Sequence, residues 1–447
     1  MPLMTPSLNA PGAIIHGARG VYDGTGSTSA EAKTNLKIPN MPQLEGIHIE
    51  NYRALKSVKM GRTLAASGLP LPKMVALVGP NGSGKSTFLD ALGFLGDCLS
   101  GTVEEACDRE HRGGFERMRT RGENGPIIFD LYYRENTGAK PISYELHINI
   151  DKQRRPFVAY ERLRQRNENQ TWGAPLSYLE LKMGKGFAWT GKKDNVTNRN
   201  IKQPVILDDA RRLGVVSLGN LSQHPNIVLF RRFLEGWYLS YFEPSKARSL
   251  PVAGAQKHLN RTGENLANYL QFMERQLGGA EFNKLLNRVA KGIPGVEKVH
   301  SKQSDDKRLL IQFNESGYKD PFYQTDMSDG TLKFLAYLLL LEDPEPAPVI
   351  GIEEPENGLH HKLLGPLAQT MRTCARGEGP QLFVTTHSPY FVDALTPPEA
   401  WTIDKSKDGF SEIRCAADEP IVEAMFNEGL PLGGLWFSGH FGHGNPL

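Results

Sequence analysis

Apolar and polar positions alternate along the chain in three regimes. Leu44, Ile47 and Ile49 start a strand, a turn follows at Asn51-Tyr52-Arg53-Ala54-Leu55, and a second short strand lies near Val58. Met74-Val75-Ala76-Leu77-Val78 is a continuous apolar run of the kind that a strand buried on both faces requires. It leads into a glycine-rich stretch, after which Phe88, Ala91, Leu92, Leu95 and Leu99 recur at helical spacing. Between 126 and 190 the period changes to two. It predicts short strands over 127–133, 142–150, 157–163, 178–182 and 187–189, an antiparallel sheet attached to the core. Helical spacing returns at 205–213, 223–236, 263–276 and 280–290, with strands at 237–242, 296–300 and 308–313, and no heptad or internal repeat runs through this region.

The last third alternates helix and strand. Residues 332–341 are apolar all round and predict a buried helix; 348–352 is a buried strand, 359–375 a helix and 382–385 another strand. Strands at 400–404 and 410–415 precede a helix at 420–428, and the glycine- and aromatic-rich tail 430–447 reads as an irregular docked segment. Residues 1–42, rich in Gly and Pro, read as a poorly ordered arm. The layout is therefore an arm (1–42), a first core segment (43–125), an inserted β-rich and helical lobe (126–320) and a second core segment (321–447).

Composition narrows the setting. The chain has 447 residues, 39% apolar and 23% charged, with 52 basic against 50 acidic side chains, which argues against a uniformly polybasic nucleic-acid binder. The four cysteines (Cys98, Cys107, Cys374, Cys415) form no Cys-x-x-Cys pair, so no disulfide framework or zinc ribbon is expected, and the setting is a reducing cytoplasm. The N-terminus shows no secretory pattern, and the longest apolar run, 334–341, falls short of the ~20 residues a membrane span needs.

Gly79-Pro80-Asn81-Gly82-Ser83-Gly84-Lys85-Ser86-Thr87 carries the strongest chemistry. Its backbone N–H groups can curl round phosphate oxygens at the start of a helix. Lys85 is placed for the β- and γ-phosphates, Ser86 for Mg²⁺, and Thr87 lies next to the α-phosphate. The strand ending in Glu353-Glu354 brings two carboxylates to the sheet edge where ligands bind. Glu353 is expected to hold Mg²⁺ through water, and Glu354 to orient or deprotonate an attacking water. Met327-Ser328-Asp329-Gly330-Thr331 opens the buried helix, where Ser328 and Gly330 form a second anion site. His387 ends the next strand, within reach of a γ-phosphate or the water.

Phosphate loop, long insert, Ser-x-Gly helix start, double-glutamate strand and histidine, in that order, resemble the ABC-type ATPase core. The branch is that of the SMC, RecF and OLD-like proteins, grouped with the AAA-family ATPases. Asn51–Leu55 looks like the branch's N-terminal turn, and Glu354-Pro355-Glu356-Asn357-Gly358-Leu359-His360 is similar to its acidic segment. The resemblance covers about 44–90 and 323–395. It implies an α/β fold, a P-loop ABC-type head with a mixed sheet flanked by helices and an inserted antiparallel lobe. It further implies ATP and Mg²⁺ as cofactors and a head-to-tail homodimer that sandwiches ATP. Lys85, Ser86, Glu353, Glu354 and His387 then act in cis, while Ser328, Gly330 and the 357–360 loop complete the partner's site. Three departures stand out: Glu353 where Asp is usual, Asp329 for the first signature glycine, and His360 at an aspartate position.

Without heptads the long arms of SMC proteins are not expected, and the 60 residues after His387 are too few for a TOPRIM nuclease. A separate effector or nuclease protein in anti-phage defence is the expected setting. The alternatives are a RecF-like DNA-repair ATPase and, from another class, an ATP-bound sensor-scaffold that sequesters an effector with little turnover. Charge is uneven: 152–202 holds 12 bases against 4 acids, among Tyr160, Trp172, Tyr178 and Trp189, a pattern that fits either a grip on a DNA backbone or a solvated sheet face. Residues 342–447 hold 16 acids against 6 bases and offer a surface to a protein partner.

Overall fold

The computed structural model describes residues 41–64, 68–109, 111–166, 174–193 and 200–444. Most of the arm read at 1–42 lies outside them, as do Glu168, Trp172, Asp194 and Arg199 of the basic lobe. The described chain is an α/β protein. Strands β1 (Gln43–Tyr52) and β2 (Leu55–Gly61) form a hairpin, and the apolar run becomes β3 (Met74–Val78), buried at all five positions. Helix α1 (Lys85–Ser100) follows the glycine loop. Then come β4 (Ile127–Arg134), β5 (Ile142–Ile150), β6 (Pro156–Gln165), β7 (Leu176–Lys182), β8 (Lys185–Lys193) and β9 (Asn200–Ile206). Together with β1 and β2 they make one antiparallel sheet in the order β2-β1-β4-β5-β6-β7-β8-β9.

After a helical stretch come β10 (Tyr238–Ser240), a small sheet of β11 (Val296–Gln303), β12 (Leu309–Glu315) and β13 (Phe322–Tyr323), and the helix Asp329–Leu341. Strands β14 (Val349–Glu353), β15 (Gln381–Thr386), β16 (Ala400–Lys405) and β17 (Ser411–Cys415) complete a second sheet in the order β10-β14-β15-β3-β16-β17. It is parallel except for β17.

Helix α1 lies between the two sheets, which explains why it is buried on almost every side. Phe88, Leu92, Phe94 and Leu95 pack with Ile49 and Phe129 of the antiparallel sheet and with Val75, Leu77 and Phe383 of the parallel one. Ala76, Val78, Ile350 and Val384 face the other way, against a second core built on Leu335, Leu339 and Leu367.

Three sequence expectations need correction. The helix expected over 205–213 is instead the end of β9, a turn in which the Arg211 N–H donates to Asp209 Oδ1 at 2.9 Å, and a short helix Gly214–Leu218. The Ile201 and Val205 pattern there has the period of a strand, and β8 supplies its partner. The helix expected from 359 begins only at Leu364, after a 3₁₀ turn at His361–Leu363. The tail holds a helix, Leu432–Phe437, with Trp436 fully buried; Gly433 permits this because a Cβ there would stand 2.0 Å from the Pro389 carbonyl oxygen. Among the described residues no helix is long and apolar enough to cross a membrane.

Candidate nucleotide site

The site lies at the carboxyl ends of the central parallel strands, where β15 runs between β3 and β14. This order brings three distant pieces together: the glycine loop after β3, Glu354 after β14 and His387 after β15. The loop turns on Gly82 and Gly84, at φ +80° and +115°. A side chain at Gly84 would also stand 2.4 Å from Ser411 Oγ, and that hydroxyl donates to the Ser83 carbonyl at 2.6 Å, so β17 props the loop from beneath. Ser83 Oγ is buried in the loop with no hydrogen-bond partner among the described residues. Asn81, Gly82 and Ser86 are exposed, Pro80 and Thr87 half-buried and Gly79 buried.

Lys85 is buried and donates to the carbonyls of Gly79 (2.9 Å) and Pro80 (3.0 Å), with its Nζ 3.5 Å from Glu354 Oε1. The same carboxylate oxygen is 3.4 Å from His387 Nδ1. Glu354 is one of few non-glycine residues with positive φ, at +39°, a conformation costing ~1–3 kcal/mol that the surroundings must enforce. They do so from three sides. The Glu354 N–H donates to the carbonyl and hydroxyl oxygens of Thr385, at 3.0 and 3.1 Å. Asn357 Nδ2 donates to Oε2 at 2.9 Å, and the buried Lys333 ammonium donates to the carbonyls of Glu354 and Asn357, both at 3.0 Å. Burial pushes the Glu354 carboxyl up, but the Asn357 hydrogen bond and the charges of Lys85 and His387 outweigh it and hold it below its ordinary value. Glu354 is therefore an ionised acceptor at neutral pH.

His387 is held in turn by Glu356. That carboxylate, 8% exposed, accepts from the His387 N–H at 2.7 Å and from Thr386 Oγ1 at 2.8 Å, and lies 3.2 Å from Nδ1. Glu353, half-buried, ends β14 opposite Thr385.

Ser328 and Gly330 lie elsewhere. Ser328 Oγ caps the helix Asp329–Leu341 by accepting from the Thr331 N–H at 3.1 Å. A side chain at Gly330 would stand 2.5 Å from the Gly358 carbonyl, so only glycine lets this helix start close on the 357–360 loop. Ser328, Gly330, Gly358 and His360 line a hollow of their own, to which no phosphate-loop residue contributes. Asp329, at the first-glycine position, pairs with Arg248 at 2.6 Å.

Sequence reasoning missed Lys333 and Ser411, and it assigned Asn357 to the partner's site and gave Glu356 no role, whereas they contact Glu354 and His387 of the same chain. Lys333 carried a usable signal: a lone ammonium within an apolar helix has to find acceptors. Replacing it by Met would leave the carbonyls of Glu354 and Asn357 without this donor. Lys333→Met is expected to cost ~1–3 kcal/mol of stability and to lower kcat well before it raises KM for ATP, read by denaturant unfolding and steady-state kinetics.

The cations of the 152–202 lobe are less free than their number implies. Arg155 pairs with Asp151 at 2.8 Å, Arg162 with Glu180 at 3.6 Å and Arg164 with Glu145 at 3.2 Å.

No curated protein matches the sequence. Solved structures that the chain is similar to include an SMC head bound to the C-winged helix domain of ScpA (14% identity, TM-score 0.49), covering 83% of this chain and 97% of that one. Another is the SMC head domain from Thermotoga maritima (14% identity, TM-score 0.41, 83% and 98%). A third is an Smc head with an extended coiled coil bound to the C-terminal domain of ScpA derived from Pyrococcus furiosus (14% identity, TM-score 0.49, 87% and 100%). The sequence profile described as "AAA domain, putative AbiEii toxin, Type IV TA system" matches residues 74–204 and 210–393, well over half of the chain. The chain belongs to this AAA family of ATP-binding ATPases.

Proposed function

We propose that the protein is a Mg²⁺-dependent ATPase that works as a dimeric switch. The observation that carries the reading is the meeting of Lys85, Glu354 and His387 at one carboxylate oxygen, beside a glycine loop at a helix N-terminus. The residues fit ATP and its metal. The buried, unpartnered Ser83 hydroxyl and the exposed start of α1 suit phosphate oxygens, and the Ser86 hydroxyl and Glu353 carboxylate are the hard oxygen donors that Mg²⁺ prefers. When bound, the ion offsets charge on the phosphates.

Lys85 gives up its loop carbonyls to phosphate oxygens. Glu354, held as an anion, accepts a proton from the attacking water or orients it, and His387 hydrogen-bonds the γ-phosphate or that water. Glu356 keeps the imidazole in place. The separate hollow at Ser328, Gly330 and His360 supports a head-to-tail arrangement in which a second copy covers each phosphate loop. ATP closes this dimer, hydrolysis reopens it, and the movement passes to DNA or to a separate effector or nuclease in anti-phage defence.

Glu354→Gln with ATP is expected to run at twice the monomer mass by light scattering, and at monomer mass without nucleotide. A monomer under both conditions would contradict the dimer.

A further inference from the structure

A second feature stands apart from the ATPase reading. One face of the antiparallel sheet packs on α1, and the other presents polar side chains. Over part of that face a cation has a match: Arg162 has Glu180, Arg155 has Asp151, and the Lys202 ammonium lies 3.3 Å from the centroid of the Phe187 ring. Where β4 and β6 end, the balance changes. Arg62, Arg134, Lys140, Arg164 and Arg166 converge on one concave pocket of about 290 Å³ that Tyr132 also lines. Among the described residues no carboxylate lines it.

Two carboxylates stand beside the pocket, Glu45 paired with Arg134 and Glu145 at 3.2 Å from Arg164. Neither reaches Lys140, whose ammonium has no partner among the described residues. Arg62 lies over the Tyr132 ring, 5.9 Å from its centroid, also without a carboxylate partner. Arg62 and Lys140 thus leave the pocket an excess of positive charge in a concave setting, where low-dielectric walls focus the field.

The kind of anion follows from the shape. A nucleic-acid backbone laid across the sheet needs cations spaced in a track, yet Arg162 and Arg164 in mid-sheet are paired, and Lys182 and Lys185 stand apart at the β7–β8 turn. The unpaired excess converges on one point, and guanidinium forks match phosphate oxygens two at a time. We infer that this pocket binds a compact, multiply charged phosphate group, carried by a nucleotide-sized ligand or by the 5′-phosphorylated end of a nucleic-acid strand.

The test uses the full chain carrying Lys85→Ala, so that the phosphate loop contributes little, titrated calorimetrically with sodium tripolyphosphate. Saturable binding is expected, weakened ~10-fold or more by adding Arg62→Glu and Lys140→Glu, and falling as salt rises. Lys140→Ala alone, which removes one unpaired ammonium, is expected to give an intermediate loss and guards against misfolding of the double charge reversal. Equal binding with and without these substitutions, or no binding at all, would overturn the pocket. A second arm compares 5′-phosphorylated and 5′-hydroxyl single strands of one sequence. Binding that requires both the 5′-phosphate and the two cations assigns a strand end; tripolyphosphate binding with neither strand bound assigns a small ligand. Equal binding of both strands, sensitive to the same two cations, would overturn the compact anion in favour of a backbone grip. Neither arm depends on ATP turnover.

Discussion

Glu354→Gln is expected to slow ATP hydrolysis about 10²–10³-fold while leaving ATP affinity within a few-fold of the parent. The amide keeps the size of the side chain and its place beside Asn357, so the loop stays closed, but it has no charge with which to receive a proton. Glu353→Gln should behave differently: the metal dependence of the rate shifts to higher Mg²⁺ before the maximal rate falls far. The pH profile follows from the carboxyl's direction of shift. Because Glu354 is held below its ordinary value of 4.5, its ionised form persists as pH falls from neutral and is lost only below that value. An acid limb of kcat between pH 6 and 7 must then arise from another group. Single-turnover and equilibrium-binding measurements separate the two glutamates, and a parallel loss of affinity and rate in Glu354→Gln would contradict the assignment.

The second large effect concerns stability. Arg112, its side chain 1% exposed, reaches two carboxylates on α1: Asp90 at 2.9 Å and Asp97 at 2.7 Å. Tyr52 Oη donates to Asp90 at 2.7 Å and Arg53 pairs with it at 3.2 Å, so the turn after β1, the phosphate-loop helix and the segment after it share one buried network. Burial pushes the Asp90 carboxyl up, yet the charge and hydrogen bond of Arg112, the Tyr52 hydroxyl and the Arg53 charge outweigh it and hold it below 3.8. Arg112→Met takes the buried cation from both carboxylates, leaving them to the more exposed Arg53, Arg109 and Arg261, and is expected to destabilise the fold by about 3 kcal/mol in urea titrations. Arg109→Met is the control. Arg109 touches Asp97 from a half-exposed position (43%), and its loss should cost under ~1 kcal/mol. Asp90, with its depressed pKa, stabilises the fold above 3.8 and loses that contribution as pH falls below it. A small effect of Arg112→Met would mean that the two aspartates are protonated or solvated instead.

Local periodicity and short motifs made the strands, the glycine loop and the three residues Lys85, Glu354 and His387 legible before any coordinates. Met74–Val78 had to be buried on both faces, and the phosphate loop had to sit between strand and helix. What escaped depends on contacts distant in sequence. Ser411 supports Ser83 from 328 positions away. Glu356 was in view beside the double glutamate, but its bond to His387 exists only because β14 and β15 pair in parallel register. Lys333 was hidden inside an apolar run, although a buried ammonium always implies nearby acceptors. The positive count over 152–202 left out the acids opposite three of its bases, Arg155, Arg162 and Arg164, because charge along a sequence says nothing of neighbours across a sheet. The helix expected at 205–213 failed because β8 holds 205–206 as strand and the carbonyls of Ala210 and Arg211 accept from Val158 and Val103, distant in sequence.

If one chain's phosphate loop works with another chain's Ser328, two inactive variants restore each other when mixed. Lys85→Ala and Ser328→Arg are each expected to hydrolyse ATP at background rate. Mixed in equal amounts they should recover about a quarter of wild-type turnover, because about half of the dimers are mixed and each mixed dimer has one of its two symmetric sites intact. Mixtures that stay at background would contradict the shared site.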